Sequence, residues 1–544
     1  MSLRPQRLLH DALQASADRS PAKTAIIADG ASYSYGTLLD AALRLARALQ
    51  DNGVERGDRV AVYLDNSWHA VVAIYGTLLS GAVLTVINPQ TKAEKLAYVL
   101  ADSEARALVT EKSLAPVFLA ALETVPNVRS VICSGGAPEG AGGASFGSRP
   151  ILDFEAALAS AEPRPLSRGV IAIDLAALIY TSGSTGNPKG VMLTHQNMVF
   201  AAGSISEYLR LDPSDRIVCV LPFAFDYGLY QLLMTILLGA TLVVERSFVY
   251  PVPVIKRAIE HEVTVFPIVP TIGATMLSLN RSGGWTLPNV RRVTNTAAAL
   301  PAEFITRLPT VFPNALIFAM YGLTECKRVA YLEPERVLEK PTSVGKAIPG
   351  TEVFLLSPDG KPVAPGETGI LHVRGPHVML GYWNQPELSA AMLKPGRFPG
   401  ERVLCTHDLF TMDADGDLYF VGRSDDIIKT RGEKVSPVEV ENVLHRITGV
   451  REAAVVGVPD VALGEAIRAF VVLDDGVVVT EQQIKRECME RLESFMVPRD
   501  VVFLRDLPKT ATQKVKKAEL RQHSGQTEPS LRADPSARAS SVGA

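Results

Sequence analysis

Long apolar runs are missing from this chain. No stretch reaches the roughly 18 uninterrupted apolar residues that a membrane-spanning helix needs, so no membrane span is expected. Cysteine is scarce too. The five present (Cys133, Cys219, Cys326, Cys405 and Cys488) are scattered, odd in number and without metal-ligand spacing. That excludes a disulfide-built scaffold and fits a reducing, cytoplasmic compartment. Neither charge sign dominates: 55 Lys and Arg against 58 Asp and Glu leave a formal net charge of −3. A nucleic-acid partner would demand a basic excess, so none is expected. The first twenty residues lack the apolar core of a secretory signal, and Asp11 and Asp18 argue against a transit peptide. They read as an amphipathic helix. No internal repeat is visible.

What the chain does have is length and patterning. Its 544 residues, 47% of them hydrophobic, suggest at least two domains with a sizeable core. Helical spacing in "YGTLLDAALRLARALQDNGV" stops at Asn52-Gly53, and "DRVAVYLD" follows as a buried strand. "HAVVAIYGTLLSGAVLTVIN" repeats helix then strand, as does the run "DRIVCVLPF", "YGLYQLLMTILLG", "ATLVVERSF". Alternation of this kind predicts an α/β architecture. "SGGAPEGAGGAS" (134–145) is a surface loop on composition. From about Lys340 to Val421 short apolar runs broken by "SPDGKP", "APGETG" and "DADGD" predict a β-rich section. A small α+β unit follows, its helix "SPVEVENVLHRI" capped at Ser436 with Pro437 in the first turn. The last two dozen residues lack apolar periodicity and are expected to be disordered. The resulting expectation is a large N-terminal α/β domain with a β-rich subdomain (1–424), a small mobile α+β domain (425–522) and a tail (523–544).

One short stretch concentrates unusual chemistry. "YTSGSTGNPKGVMLTH" (180–195) follows the apolar "DLAALIY" with four hydroxyls (Thr181, Ser182, Ser184, Thr185), Gly183, Gly186 and Gly190, and Lys189, and no acid. The nucleotide-binding pattern G-x-x-x-x-G-K-[ST] fails, because Gly190 follows Lys189 and Pro188 withholds a backbone N–H. G-x-G-x-x-G fails on spacing. Backbone N–H groups, hydroxyls and one lysine without a carboxylate still suit the outer phosphates of a nucleotide, and Lys189 could neutralise a departing pyrophosphate.

This loop, together with "YGLTE" (321–325), "HDLFTMDADGDLYFVGRSDDIIKTRGEKVSP" (407–437) and "LPKTATQKVKKAEL" (507–520), resembles four motifs of the adenylate-forming (ANL) superfamily. That superfamily holds acyl-CoA synthetases, peptide-synthetase adenylation domains and beetle luciferases. The resemblance implies an AMP-forming acid–thiol ligase using ATP, Mg²⁺ and CoA. A carboxylate attacks the α-phosphorus of ATP, giving an acyl-adenylate and pyrophosphate; a thiol then takes the acyl group and AMP leaves. It implies Glu325 as the Mg²⁺ ligand, Thr324 on a phosphate and Tyr321 near the adenine. Asp408 would hold the ribose hydroxyls, with Arg423 as a second contact. Lys514 would bridge carboxylate and α-phosphate in the first step. Asp425 falls at the hinge on which the small domain would turn, bringing Gly432 to line the pantetheine path. Three departures stand out: His407 and Gln513 where glycine is usual, and Ala297 and Ala298 in a loop usually richer in glycine beside adenine and substrate.

The acyl pocket, by the same resemblance, takes in Phe225, Asp226, Tyr227, Ala297 and Gly322. Two readings of Asp226 stand here. It pairs with a substrate amine, as in peptide-synthetase domains, or it caps the apolar helix that follows. The cap is preferred, and with it a hydrophobic acid, fatty or aryl. The alternative is a stand-alone enzyme that loads an amino acid or acyl group onto a separate acyl carrier protein. A luciferase-like monooxygenase shares these motifs and ranks third. The expected partners are the acid, ATP and CoA, with a carrier protein and a homodimer left open.

Overall fold

The computed structural model describes residues 6–138, 149–161, 169–181, 188–280, 283–296, 300–423, 426–430, 433–460, 463–510 and 514–523. Most of "SGGAPEGAGGAS" and the C-terminal tail therefore lie outside the described residues.

Alternation of helix and strand in the first half builds an eight-stranded sheet. At its centre Arg59–Tyr63 runs parallel to both Val83–Ile87 and Ala105–Glu111, and each is an apolar run buried on both faces. The helix Trp68–Ser80 packs over it, and Tyr35–Asp51, which ends before Gly53 at φ +80°, packs on that helix. Leu175–Thr181 joins parallel to Val83–Ile87, but its next neighbour, Lys189–Thr194, is antiparallel. The hydroxyl-rich loop thus closes a strand–strand hairpin, with Thr181 paired to Lys189 across its base. A strand–helix phosphate loop is ruled out by geometry as well as by its motif.

The second sheet has 14 strands and changes character half-way. Strands Thr24–Ala28, Thr241–Val244, Arg216–Cys219, Val265–Ile268, Arg292–Asn295 and Leu316–Tyr321 are parallel neighbours. From Leu316–Tyr321 onward the sheet is antiparallel, through Ala330–Tyr331 and Ser343–Ala347 to Leu418–Arg423 and Arg402–Met412. The β-rich section is therefore continuous with the α/β part. Residues at the end of Leu316–Tyr321 emerge where the two regimes meet, the kind of place where α/β sheets open a crevice. "DADGD" is the expected turn. Its Asp413, Asp415 and Asp417 surround Lys340 Nζ at 2.6, 2.8 and 2.7 Å, so an internal cation already fills this acidic cluster.

The last unit is a five-stranded sheet with an apolar cluster on each face. Helices Pro437–Leu444 and Glu481–Arg491 cover one face, and Lys517–Gln522 places Leu520 on the other. Ser436 stands at the cap position of Pro437–Leu444, but its hydroxyl donates to the Val421 carbonyl rather than accepting from the helix. The expected architecture, a large α/β domain with a β-rich part and a small α+β domain, is the one observed. All five cysteines are buried and unpaired. Among the described residues no helix is long and apolar enough to cross a membrane.

Candidate active site

Three chain segments converge around the end of the strand Leu316–Tyr321. The first is the turn that continues it. Gly322 to Lys327 loops back so that Val329 N–H donates to the Tyr321 carbonyl at 2.9 Å, and Cys326 N–H to Leu323 at 3.1 Å. Gly322 is required by close approach: a Cβ there would lie 2.2 Å from the Lys327 carbonyl oxygen. The turn leaves Thr324 and Glu325 half-exposed while everything from Cys326 to Ala330 is buried.

Glu325 is tied to the hairpin through a residue that the sequence reading missed. Tyr382 donates its hydroxyl to Glu325 Oε1 at 2.7 Å, and Lys189 Nζ lies 5.6 Å from the centre of the same ring. The short strand Gly381–Tyr382 pairs with Lys189–Thr194, which fixes this placement. Burial, then the neighbouring Glu325, pushes the Tyr382 hydroxyl well above its ordinary pKa, so it stays a donor. "GYW" in a β-rich run carries no local signal for this; only the pairing to the hairpin reveals it.

Asp408 is the second segment. It stands on Arg402–Met412, where the pairing with Gly369–Arg374 slips: Leu409 faces Ile370 and Cys405 faces His372, so the intervening residues bulge. Bulges re-aim side chains at sheet edges and near sites. At its heart His407 has φ +58°, in the left-handed region that favours glycine. The Asp408 carboxylate accepts from the Tyr321 hydroxyl and lies 3.6 Å from Arg423 Nε. The Tyr321 ring packs against Phe410 and Phe420, with centroids 4.8 and 6.2 Å away. Burial raises the Asp408 pKa, against the pull of Tyr321, Arg423 and Lys514. Because His407 holds a left-handed conformation at a cost of about 1–2 kcal/mol, His407→Gly should be tolerated. Allowing for glycine's looser unfolded chain, it should raise stability by roughly 0.5–1 kcal/mol, seen as a higher denaturant midpoint at unchanged m-value. A fall in the midpoint would mean that the imidazole itself holds the bulge.

Lys514, from the small unit, is the third. Its backbone is held by paired hydrogen bonds with Thr510, at 2.7 and 3.1 Å. Its charge reaches both Asp408 and Asp226.

Asp226 requires a correction. The cap of the helix Asp226–Leu238 is Phe225, and Asp226 is its first residue, with no capping bond. Its partner is a cation that the sequence reading passed over. Lys327 Nζ lies 3.2 Å from Asp226 Oδ2, and the Lys327 side chain is only 2% exposed. Although burial opposes it, Lys327 and Arg328 hold the Asp226 carboxyl below its ordinary range. Burial drives the Lys327 ammonium down to about 7, against the pull of Asp226. Beside this pair the Tyr227 hydroxyl bonds to Thr294.

Of the expected site residues, Thr181, Lys189, Tyr321, Gly322, Thr324, Glu325, Asp408, Arg423, Lys514, Phe225, Asp226 and Tyr227 are placed by the structure. Ser182, Gly183, Ser184, Thr185, Gly186, Ala297, Ala298, Asp425 and Gly432 lie outside the described residues.

Comparison with known proteins places the chain in a family. The AMP-binding enzyme family matches residues 13–383, and the AMP-binding enzyme C-terminal domain matches 439–514. A long-chain-fatty-acid–CoA ligase of Bacillus subtilis (strain 168) is 32% identical over 531 residues, 94% of this chain and 93% of that one. A feruloyl-CoA synthase of an Amycolatopsis species is 33% identical over 510 residues, covering 93% and 97%. The crystal structure of an anthranilate CoA ligase in complex with anthranoyl-AMP superimposes with a TM-score of 0.87 at 28% identity, over 95% and 96% of the two chains. The chain belongs to the AMP-binding enzymes of the adenylate-forming superfamily.

Proposed function

We propose that the protein is an AMP-forming acyl-CoA ligase that activates a hydrophobic carboxylic acid, fatty or aryl, and passes it to the CoA thiol. The observation that carries this reading is Lys514: a lysine of the small unit whose charge is felt by two carboxylates of the large one, Asp408 and Asp226. A cation so placed offsets the repulsion when a carboxylate approaches the α-phosphate of ATP.

The other residues divide the work. The hairpin, from Thr181 to Gly186 with Lys189, takes the outer phosphates and the departing pyrophosphate, and Thr324 adds a hydroxyl. Asp408, with Arg423 beside it, accepts from the ribose hydroxyls. Glu325 suits Mg²⁺. Its Oε1 already accepts from Tyr382, and it forms no ion pair among the described residues. One carboxylate together with substrate phosphates is a pattern that this ion favours. Bound there, it would offset charge on the phosphates. For the thiol step the small domain turns at Asp425, withdrawing Lys514 and bringing Gly432 to the pantetheine path, because one lysine cannot stay in the cleft while a second nucleophile enters.

Mass spectrometry of products from ATP, Mg²⁺ and a panel of fatty, aryl and amino acids, with and without CoA, tests the reading. The expected product is a CoA thioester with AMP. An adenylate that CoA leaves untouched would point to a carrier-protein acceptor instead.

A further inference from the structure

The turn that carries Glu325 also delivers two cations to the start of the helix Asp226–Leu238. Lys327, held at φ +66°, sends its ammonium between Asp226 and the Tyr230 ring, 4.2 Å from the ring centre. Arg328, also buried, bonds to Thr296 Oγ1 and lies 5.4 Å over the Tyr227 ring. Among the described residues Arg328 Nε has no hydrogen-bond acceptor and Lys327 Nζ has only Asp226, so two buried cations face a single carboxylate. Asp226 differs from both. Its side chain is 24% exposed, and among the described residues its one ion pair is with Lys327. With Lys327 only 2% exposed, an arriving group has access to Asp226 and not to Lys327.

We propose that Asp226 selects acids bearing an uncharged hydrogen-bond donor, a hydroxyl or an aryl amine, with Lys327 as its built-in counter-ion. This deepens, and rests on, the ligase reading above. Charge decides among the possible groups. An aliphatic ammonium would add a further cation around a carboxylate that already feels Lys327, Arg328 and Lys514. A second carboxylate on the substrate would meet Asp226 before it could reach Lys327. A hydrocarbon surface would cover the Asp226 oxygens and return no hydrogen bond, which is costly for a buried acceptor. A neutral donor adds no charge and satisfies the exposed oxygen.

The test compares kcat/KM, by pyrophosphate release, for benzoate and cinnamate against their ring-hydroxylated and ring-aminated derivatives, with octanoate and phenylalanine alongside. The expected result is a preference of at least about tenfold for donor-bearing aryl acids, since a site built to bond a donor rejects analogues that lack it. Phenylalanine should be refused. The paired variant Asp226→Leu/Lys327→Met removes both charges together, which buried pairs tolerate better than the loss of one partner; in it the preference should fall to near unity. Equal or better use of the unsubstituted acids by the wild-type protein, or a preference for phenylalanine, overturns the proposal and leaves the ligase reading standing. Should no acid of any kind be adenylated, both fall.

Discussion

Lys514→Ala should lower adenylate formation by about 10³-fold, the scale seen when one pre-placed charge or donor at a reacting centre is removed. It should leave thioester formation from supplied acyl-adenylate nearly intact. The structure sharpens this expectation by separating Lys514 from its neighbours. Lys509 pairs with Glu452 and Asp506, Lys516 with Glu519 and Lys517 with Glu441, each within the small unit. Lys514 forms no such pair among the described residues, and its charge instead reaches carboxylates across the cleft. Substituting Lys516 or Lys517 should therefore cost little in the first half-reaction. Single-turnover measurement of each half-reaction is the check. Equal loss in both would contradict a lysine that leaves before the thiol arrives.

How far the site was legible depended on whether its residues sit in one segment. Glu325, Asp408 and Lys514 were readable because each lies in a local motif, and the structure gathers them around one cleft. The departure at His407 was readable too, and its meaning emerged with the backbone: a left-handed residue in a bulge, where glycine is the easier choice. Tyr382 and Lys327 were not legible. Tyr382 matters only because Gly381–Tyr382 pairs with a strand almost 200 residues earlier. Lys327 follows "YGLTE" closely in the chain, and nothing local shows that a turn reverses direction and buries it. Missing that cation led to the wrong account of Asp226, for a carboxylate at a helix start reads as a cap unless its partner is known. The same limit applied to the sheets. Alternation along the chain predicted α/β and then β, but not that one continuous sheet joins them at Leu316–Tyr321.

That junction makes Gly322 a position where a single methyl group should harm activity more than stability. In Gly322→Ala the new Cβ would fall 2.2 Å from the Lys327 carbonyl oxygen and 3.0 Å from Arg328 Cα, both backbone, so no side chain can swing aside. The turn must open, and Thr324, Glu325 and Lys327 move with it. Overpacking of this kind costs about 1–3 kcal/mol in stability, which a chain with so large a core should survive. Activity should fare worse, because a displacement near 1 Å of a positioning group can cost about 10²-fold. The expected result is a folded variant whose adenylation kcat/KM falls by about that factor, with the loss shared between ATP and acid because Glu325 and Lys327 ride on the same turn. Gly203→Ala is the matched control: it lies in the helix His195–Tyr208, and a Cβ there meets nothing within 4 Å. It should leave adenylation unaffected. A fully active Gly322→Ala protein would show that the turn can relax without moving its carboxylate, and the tight return from Gly322 to Arg328 would then have to be read as packing alone.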